Sequence, residues 1–153
     1  VTNDRFEYIG TGHATHYRQS DGTHDFQTAA SGSADGAITF STKLSITEDG
    51  RGLSQFTAKS WVTFNGLNTL AILDSHNVSS VTDNGVGDYT PNFTNNMANV
   101  NYSVSLTAEL ASSSKPNRGV QSRAVGAVQV YAQRGTDGSM SDTSYVSVLV
   151  FGD

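Results

Sequence analysis

A chain of 153 residues and 16.2 kDa makes one domain, or a small domain carried on a short stalk. Gly, Ser, Thr and Asn supply 63 residues and charged side chains only 15%, which excludes a helical bundle or coiled coil, while 14 aromatic residues argue against disorder. A net charge of −5 speaks against nucleic acid as the main partner, and the absence of cysteine removes disulfides, thiolate metal sites and a Cys nucleophile.

In chain order, the stretch from Val1 to about Thr57 is cut into short pieces by glycines. Ala37–Ser41 and Lys43–Thr47 alternate, placing Ile38 with Phe40 and Leu44 with Ile46, the signature of half-buried strands. Asp-Gly and Gly-Arg-Gly steps supply turns. Large apolar residues are sparse here, so these strands are expected to pack against copies of themselves. From Ala58 onward the apolar density rises. Ser60–Phe64 leads into Asn65-Gly66, a type I′ turn signal. Strands are expected at Thr69–Leu73, His76–Thr82 and Gly87–Phe93, with a turn at Asp83-Asn84-Gly85. Val100–Leu110 puts Tyr102, Val104, Leu106 and Ala108 on one face. Ser112–Asn117 reads as the longest loop, and Ala124–Ala132 and Tyr145–Phe151 as two closing strands. Short strands separated by frequent turns predict an all-β sandwich or barrel. No run of about 18 apolar residues and no charged-then-apolar leader is present, and a start at Val1 rather than Met predicts a fragment of something longer.

The run Ala58-Lys59-Ser60-Trp61-Val62-Thr63-Phe64-Asn65-Gly66 is followed by Ile72, by Asn77-Val78-Ser79-Ser80-Val81-Thr82-Asp83-Asn84-Gly85, by Gly87-Asp88-Tyr89-Thr90, and by the ending Tyr145-Val146-Ser147-Val148-Leu149-Val150-Phe151-Gly152. Over Ala58 to Asp153 this series resembles a C-terminal module of bacteriophage tail fibres, common in phages of marine and cyanobacterial hosts. The sequence departs from that pattern at Leu67-Asn68-Thr69, His76 and Asn95-Asn96. The resemblance implies a virion structural protein, homotrimeric along the fibre axis, whose tip contacts a host surface receptor. The expected architecture is therefore all-β, with a shaft-like segment over 1–57 and a β-sandwich tip over 58–153, three copies packing around an axis.

Candidate chemistry is sparse. Asp21, Asp35, Asp49, Asp83 and Asp137 adjoin Gly or Asn, the places where Asx side chains form turns, and no Gly-x-Ser-x-Gly elbow occurs. Asp83 and Asp88 bracket one turn and form the only pair to suggest a polysaccharide depolymerase, which needs two carboxylates about 5–10 Å apart; the expectation is no enzyme. His13 and His16 stand three apart and point to opposite strand faces, so they chelate one ion only with a bulge or across a threefold axis. Asp83, Asn84 and Asp88 fall short of the about six to eight oxygens that calcium needs, and no metal or cofactor is assigned. Trp61 sits mid-strand, as core, subunit interface or ligand platform, and Tyr17, Tyr89 and Tyr131 are open in the same way. The basic loop Lys115-Pro116-Asn117-Arg118, with Arg123 and Arg134 downstream, is the cationic stretch of an acidic chain, and loops carry binding on β scaffolds. Lys115, Asn117, Arg118, Arg134 and Tyr131 are the receptor-binding candidates. Sequons at Asn77, Asn92 and Asn101 are expected by chance in so Asn- and Ser-rich a chain. The expected function is a trimeric, virion-borne adhesin for a host glycan or outer-membrane protein, attached to the rest of the fibre and tail. A monomeric secreted lectin or carbohydrate-binding module is the alternative.

Overall fold

The computed structural model describes residues 6–54, 56–109 and 116–152. All regular structure among them is β, arranged in three antiparallel four-stranded sheets. The chain divides into two compact units, Val1–Ser54 and Gln55–Asp153.

The first unit is a meander of β1 (Gly12–Ser20), β2 (Thr23–Gly32), β3 (Ser41–Ile46) and β4 (Gly52–Leu53). Asp21 and Gly22 join β1 to β2 with φ of 49° and 75°, the left-handed pair that a two-residue hairpin turn requires. One face of the sheet is covered by its own flanks. Tyr8 is buried and lies so close over Gly32 that any side chain there would run into its ring, while its hydroxyl donates to the Ala30 carbonyl. Phe6, His16 and Phe40 form a ring cluster with centroids 4.9–5.4 Å apart. The opposite face carries Tyr17 and Phe26, paired in register with rings 5.1 Å apart, and Ile46; all three are exposed. Ala37–Phe40 is not a strand, and Ser41 opens β3: among the described residues Ala37 makes a single bridge to Glu7, and its neighbours bond to the short 6–8 segment. β1 and β2 escape an apolar-periodicity reading because His, Gln, Thr, Ser, Asp and Arg fill most of their positions.

Two carboxylates tie this unit together. Asp25 is buried, accepting from Ser45 Oγ at 2.7 Å and from Arg18 Nη2 at 2.8 Å. Those two partners hold its carboxyl below the usual value of 3.8. Asp49 accepts from Thr47 and Arg51, which draw it down to about 2. Both groups are more acidic folded than unfolded, so their stabilisation is present above the unfolded value and fades as pH falls through the folded one. Amide protection of β2 and β3, taken as exchange relative to the intrinsic rate at each pH, should therefore fall on titration from pH 4 toward 2, and Asp25→Asn should flatten that response.

The second unit is a two-layer sandwich. One sheet has the order β10-β11-β8-β7 and the other β6-β5-β12-β9, from β5 (Ala58–Asn65), β6 (Ala71–His76), β7 (Val78–Gly85), β8 (Asp88–Phe93), β9 (Ser103–Glu109), β10 (Pro116–Ala124), β11 (Ala127–Arg134) and β12 (Tyr145–Phe151). Strict alternation builds the core. Val62 and Phe64 of β5 and Val146, Val148 and Val150 of β12 face Tyr89 and Phe93 of β8 and Val128, Val130 and Ala132 of β11. Each fully buried Val or Phe stabilises the fold by roughly 1.5–3 kcal/mol relative to exposure. Phe64 meets Tyr89 edge-on at 5.1 Å and Phe93 meets Tyr102 at 5.9 Å. The Tyr102 hydroxyl donates to the carbonyls of Ala124 and Ala127, pinning the β10–β11 hairpin.

Several boundaries differ from the sequence reading for physical reasons. Asn65-Gly66 is no type I′ turn: the left-handed residue of that loop is Asn68 (φ 62°), and Gly66 is buried under the Tyr89 ring, donating to the Thr143 carbonyl at 2.9 Å. The Asp83-Asn84-Gly85 turn moves on, since β7 runs to Gly85 and Val86-Gly87 makes the connection. The expected loop Ser112–Asn117 lies partly outside the described residues, and its end opens the edge strand β10. β10 has Val120 as its one large apolar residue and is bulged between Val120 and Ser122, which hides its period.

Candidate functional site

Alternation that drives Tyr89, Pro91, Phe93, Val128, Val130 and Ala132 inward must turn their neighbours outward. The outer face of the β10-β11-β8-β7 sheet accordingly carries Asp88, Thr90 and Asn92 beside Gln129, Tyr131 and Gln133, flanked by Ser80 and Thr82 on β7 and Asn117 and Ser122 on the β10 side. These side chains are cross-linked. Gln129 Nε2 donates to both Asp88 oxygens at 2.9 and 3.0 Å, and Ser122 Oγ to Gln129 Oε1 at 3.1 Å. Asn84 Nδ2 donates to Asp88 Oδ1 and to Thr90 Oγ1, at 3.1 and 2.8 Å. Asn92 Nδ2 donates to Ser80 Oγ and Thr82 Oγ1, and Asn117 Nδ2 to Gln133 Oε1. Tyr131 pairs in register with Gly119, and a Cβ there would stand 2.6–2.8 Å from the ring's hydroxyl end. The missing side chain is what lets the ring lie down on the neighbouring strand.

A second feature opens at the sandwich edge. β9 and β10 are edge strands of the two sheets, and an open cleft of about 630 Å³ lies between them. Its floor is apolar, from Val104, Leu106 and Val120, and its walls include Arg118 and Arg123. Arg118 Nε donates to the Leu106 carbonyl at 3.0 Å, tying the two layers together at this edge.

The five receptor-binding candidates are thereby distributed. Asn117 and Tyr131 share the outer sheet face, with Asn117 also on the rim of the cleft. Arg118 belongs to the cleft, and Arg134 ends β11 opposite Pro116, exposed. Lys115 lies outside the described residues. The Asp88–Gln129–Asn84 network was missed from sequence, although Asp88-Tyr89-Thr90-Pro91-Asn92-Phe93 and Ala127–Gln133 both alternate in a way that points to it.

The remaining candidates resolve individually. Tyr89 is core: its hydroxyl donates to the Gly66 carbonyl and to Asp142 Oδ1 at 3.1 and 3.0 Å, and burial, reinforced by that carboxylate, raises its pKa well above the ordinary phenol value. Trp61 is half-buried on the outer face of its sheet, in register with His76 and Leu149. Asp83 caps its own turn by accepting from Gly85 N at 3.0 Å. His16 packs with Phe6 and Phe40 on one face of β1, while His13 is exposed on the other. The Asn77 amide is consumed structurally, donating to Lys59 O and Asn95 O and accepting from Asn95 N at 2.8 Å. Comparison of the chain with protein-family models, with curated proteins and with solved structures finds no match.

Proposed function

We propose that this chain is the receptor-binding tip of a bacteriophage tail fibre, a virion adhesin that works as a homotrimer and engages a glycan or outer-membrane protein of the host surface. The resemblance of Ala58 to Asp153 to a tail-fibre module supports the assignment. The observation that carries the oligomer is the open face of the first unit, where Tyr17 is 47% and Phe26 46% exposed on one face of a sheet whose other face is already covered. Aromatic area of that kind gains most of its stabilisation only when a further surface removes it from water. Sister copies are the occupant that a fibre supplies. Three equal sites held rigidly would raise weak single-site affinity by roughly 10²–10⁴ where geometry permits simultaneous contact.

Light scattering on the purified protein should return three times the chain mass of 16.2 kDa, and the double substitution Tyr17→Ser with Phe26→Ser should shift it toward one. The isolated protein should also compete with phage for adsorption to host cells. A wild-type chain that stays monomeric overturns the fibre reading. One observation favours a second reading, that of a monomeric lectin: residues from Val62 to Val150 form a single closed core inside the second unit. On that reading the second unit alone would fold and bind.

A further inference from the structure

We propose that the outer face of the β10-β11-β8-β7 sheet is a platform for a neutral glycan, with the Tyr131 ring as its stacking surface. The inference rests on the adhesive reading of the protein and gives its receptor a chemical class. Pyranose rings present an apolar C–H face and a rim of hydroxyls, so a site for them needs a flat aromatic surface amid paired donors and acceptors. Tyr131 supplies the first, laid along the sheet because Gly119 leaves room beneath its hydroxyl end.

The polar network supplies the second. Ser80, Thr82 and Thr90 each accept a side-chain amide proton, from Asn92 or Asn84, which leaves each hydroxyl hydrogen to donate outward. The Asp88 carboxylate, fixed by Gln129 and Asn84, retains lone pairs to accept from sugar hydroxyls. Because the amides already hold these groups, little side-chain freedom remains to be lost on binding. Charge selects the class. Among the described residues, Asp88 carries the one charge at the outward positions of these four strands, with Arg134 beyond Tyr131 at the end of β11, so the centre of the face meets an acidic saccharide with like charge and a neutral one without it.

The test is affinity electrophoresis of the full chain through gels containing dextran, mannan, a neutral galactan or, as the polyanion, alginate. Retardation is expected with at least one neutral polymer and not with alginate. Tyr131→Ala should weaken that interaction at least about tenfold. Gly119→Ala, which keeps the ring but lifts it with a methyl group, should weaken it comparably. Thr107→Ala, exposed on β9 of the other sheet, should leave it unchanged; thermal melts followed by Trp61 fluorescence establish that each variant is folded. Failure of all three neutral polymers to retard the protein overturns the platform, as does retardation that survives in folded Tyr131→Ala, or a preference for alginate. A chain that binds through Tyr131 yet stays monomeric keeps the platform and removes the fibre reading; a trimer indifferent to every polymer does the reverse.

Discussion

Replacing Gly87 with alanine should cost the second unit at least about 3 kcal/mol, enough to leave much of it unfolded at ambient temperature. Gly87 lies at φ 66°, where a Cβ is itself strained. The space is also taken: a Cβ there would stand 2.7 Å from Ser141 N and 2.9 Å from Ser141 O, and would press on the Ala132 carbonyl. These are backbone atoms that no rotamer change can move aside. The residue also works through its own backbone. Its N–H donates to Asp142 Oδ1 and its carbonyl accepts from Ala132 N, each at 2.8 Å. Pushing Gly87 outward therefore breaks the junction of β8, β11 and the 139–143 segment in one step. Urea denaturation followed by Trp61 fluorescence, which reports the second unit, should show a large drop in midpoint. Gly85→Ala provides the contrast, since Gly85 has φ 127° but open space around it, leaving only conformational strain.

The difference between what was legible in the sequence and what was not follows from where the information lies. β12 was plain because Val146, Val148 and Val150 repeat at a period of two with no competing signal, and β9 because Val104, Leu106 and Ala108 do the same. β1, β2 and β10 were not, since their buried and half-buried positions are taken largely by Gly, Ala, His, Asp and Gln, whose burial depends on partners far along the chain. Asp25 is sealed by Arg18 and Ser45, which neither composition nor period reveals. Glycine was ambiguous for the same reason. Asp21-Gly22 obeys the local turn rule, whereas Gly66 and Gly119 are set by tyrosine rings approaching from distant strands. The candidate surface was half visible. Tyr131 and Asn117 were singled out one by one, but their association with Asp88 and Gln129 needs the β10-β11-β8 register, which only the fold provides.

Phe64→Ala should cost about 3–5 kcal/mol, the range for emptying an aromatic position in a packed core. Phe64 is 0% exposed and stands edge-on to Tyr89, whose hydroxyl is tied to the Gly66 carbonyl and Asp142. Those anchors keep Tyr89 from swinging into the vacated volume, so the cavity should persist and the penalty fall at the upper end of the range. The same urea series measures it, and a cost below about 1 kcal/mol would mean that the two layers close over the gap. The substitution also separates fold from function. Phe64 lies between the layers and Tyr131 on the outer surface of one of them, so Phe64→Ala should reduce ligand binding only in proportion to the unfolded fraction. Binding per folded molecule should stay at the wild-type level in Phe64→Ala and fall in Tyr131→Ala, whose melting temperature should scarcely move.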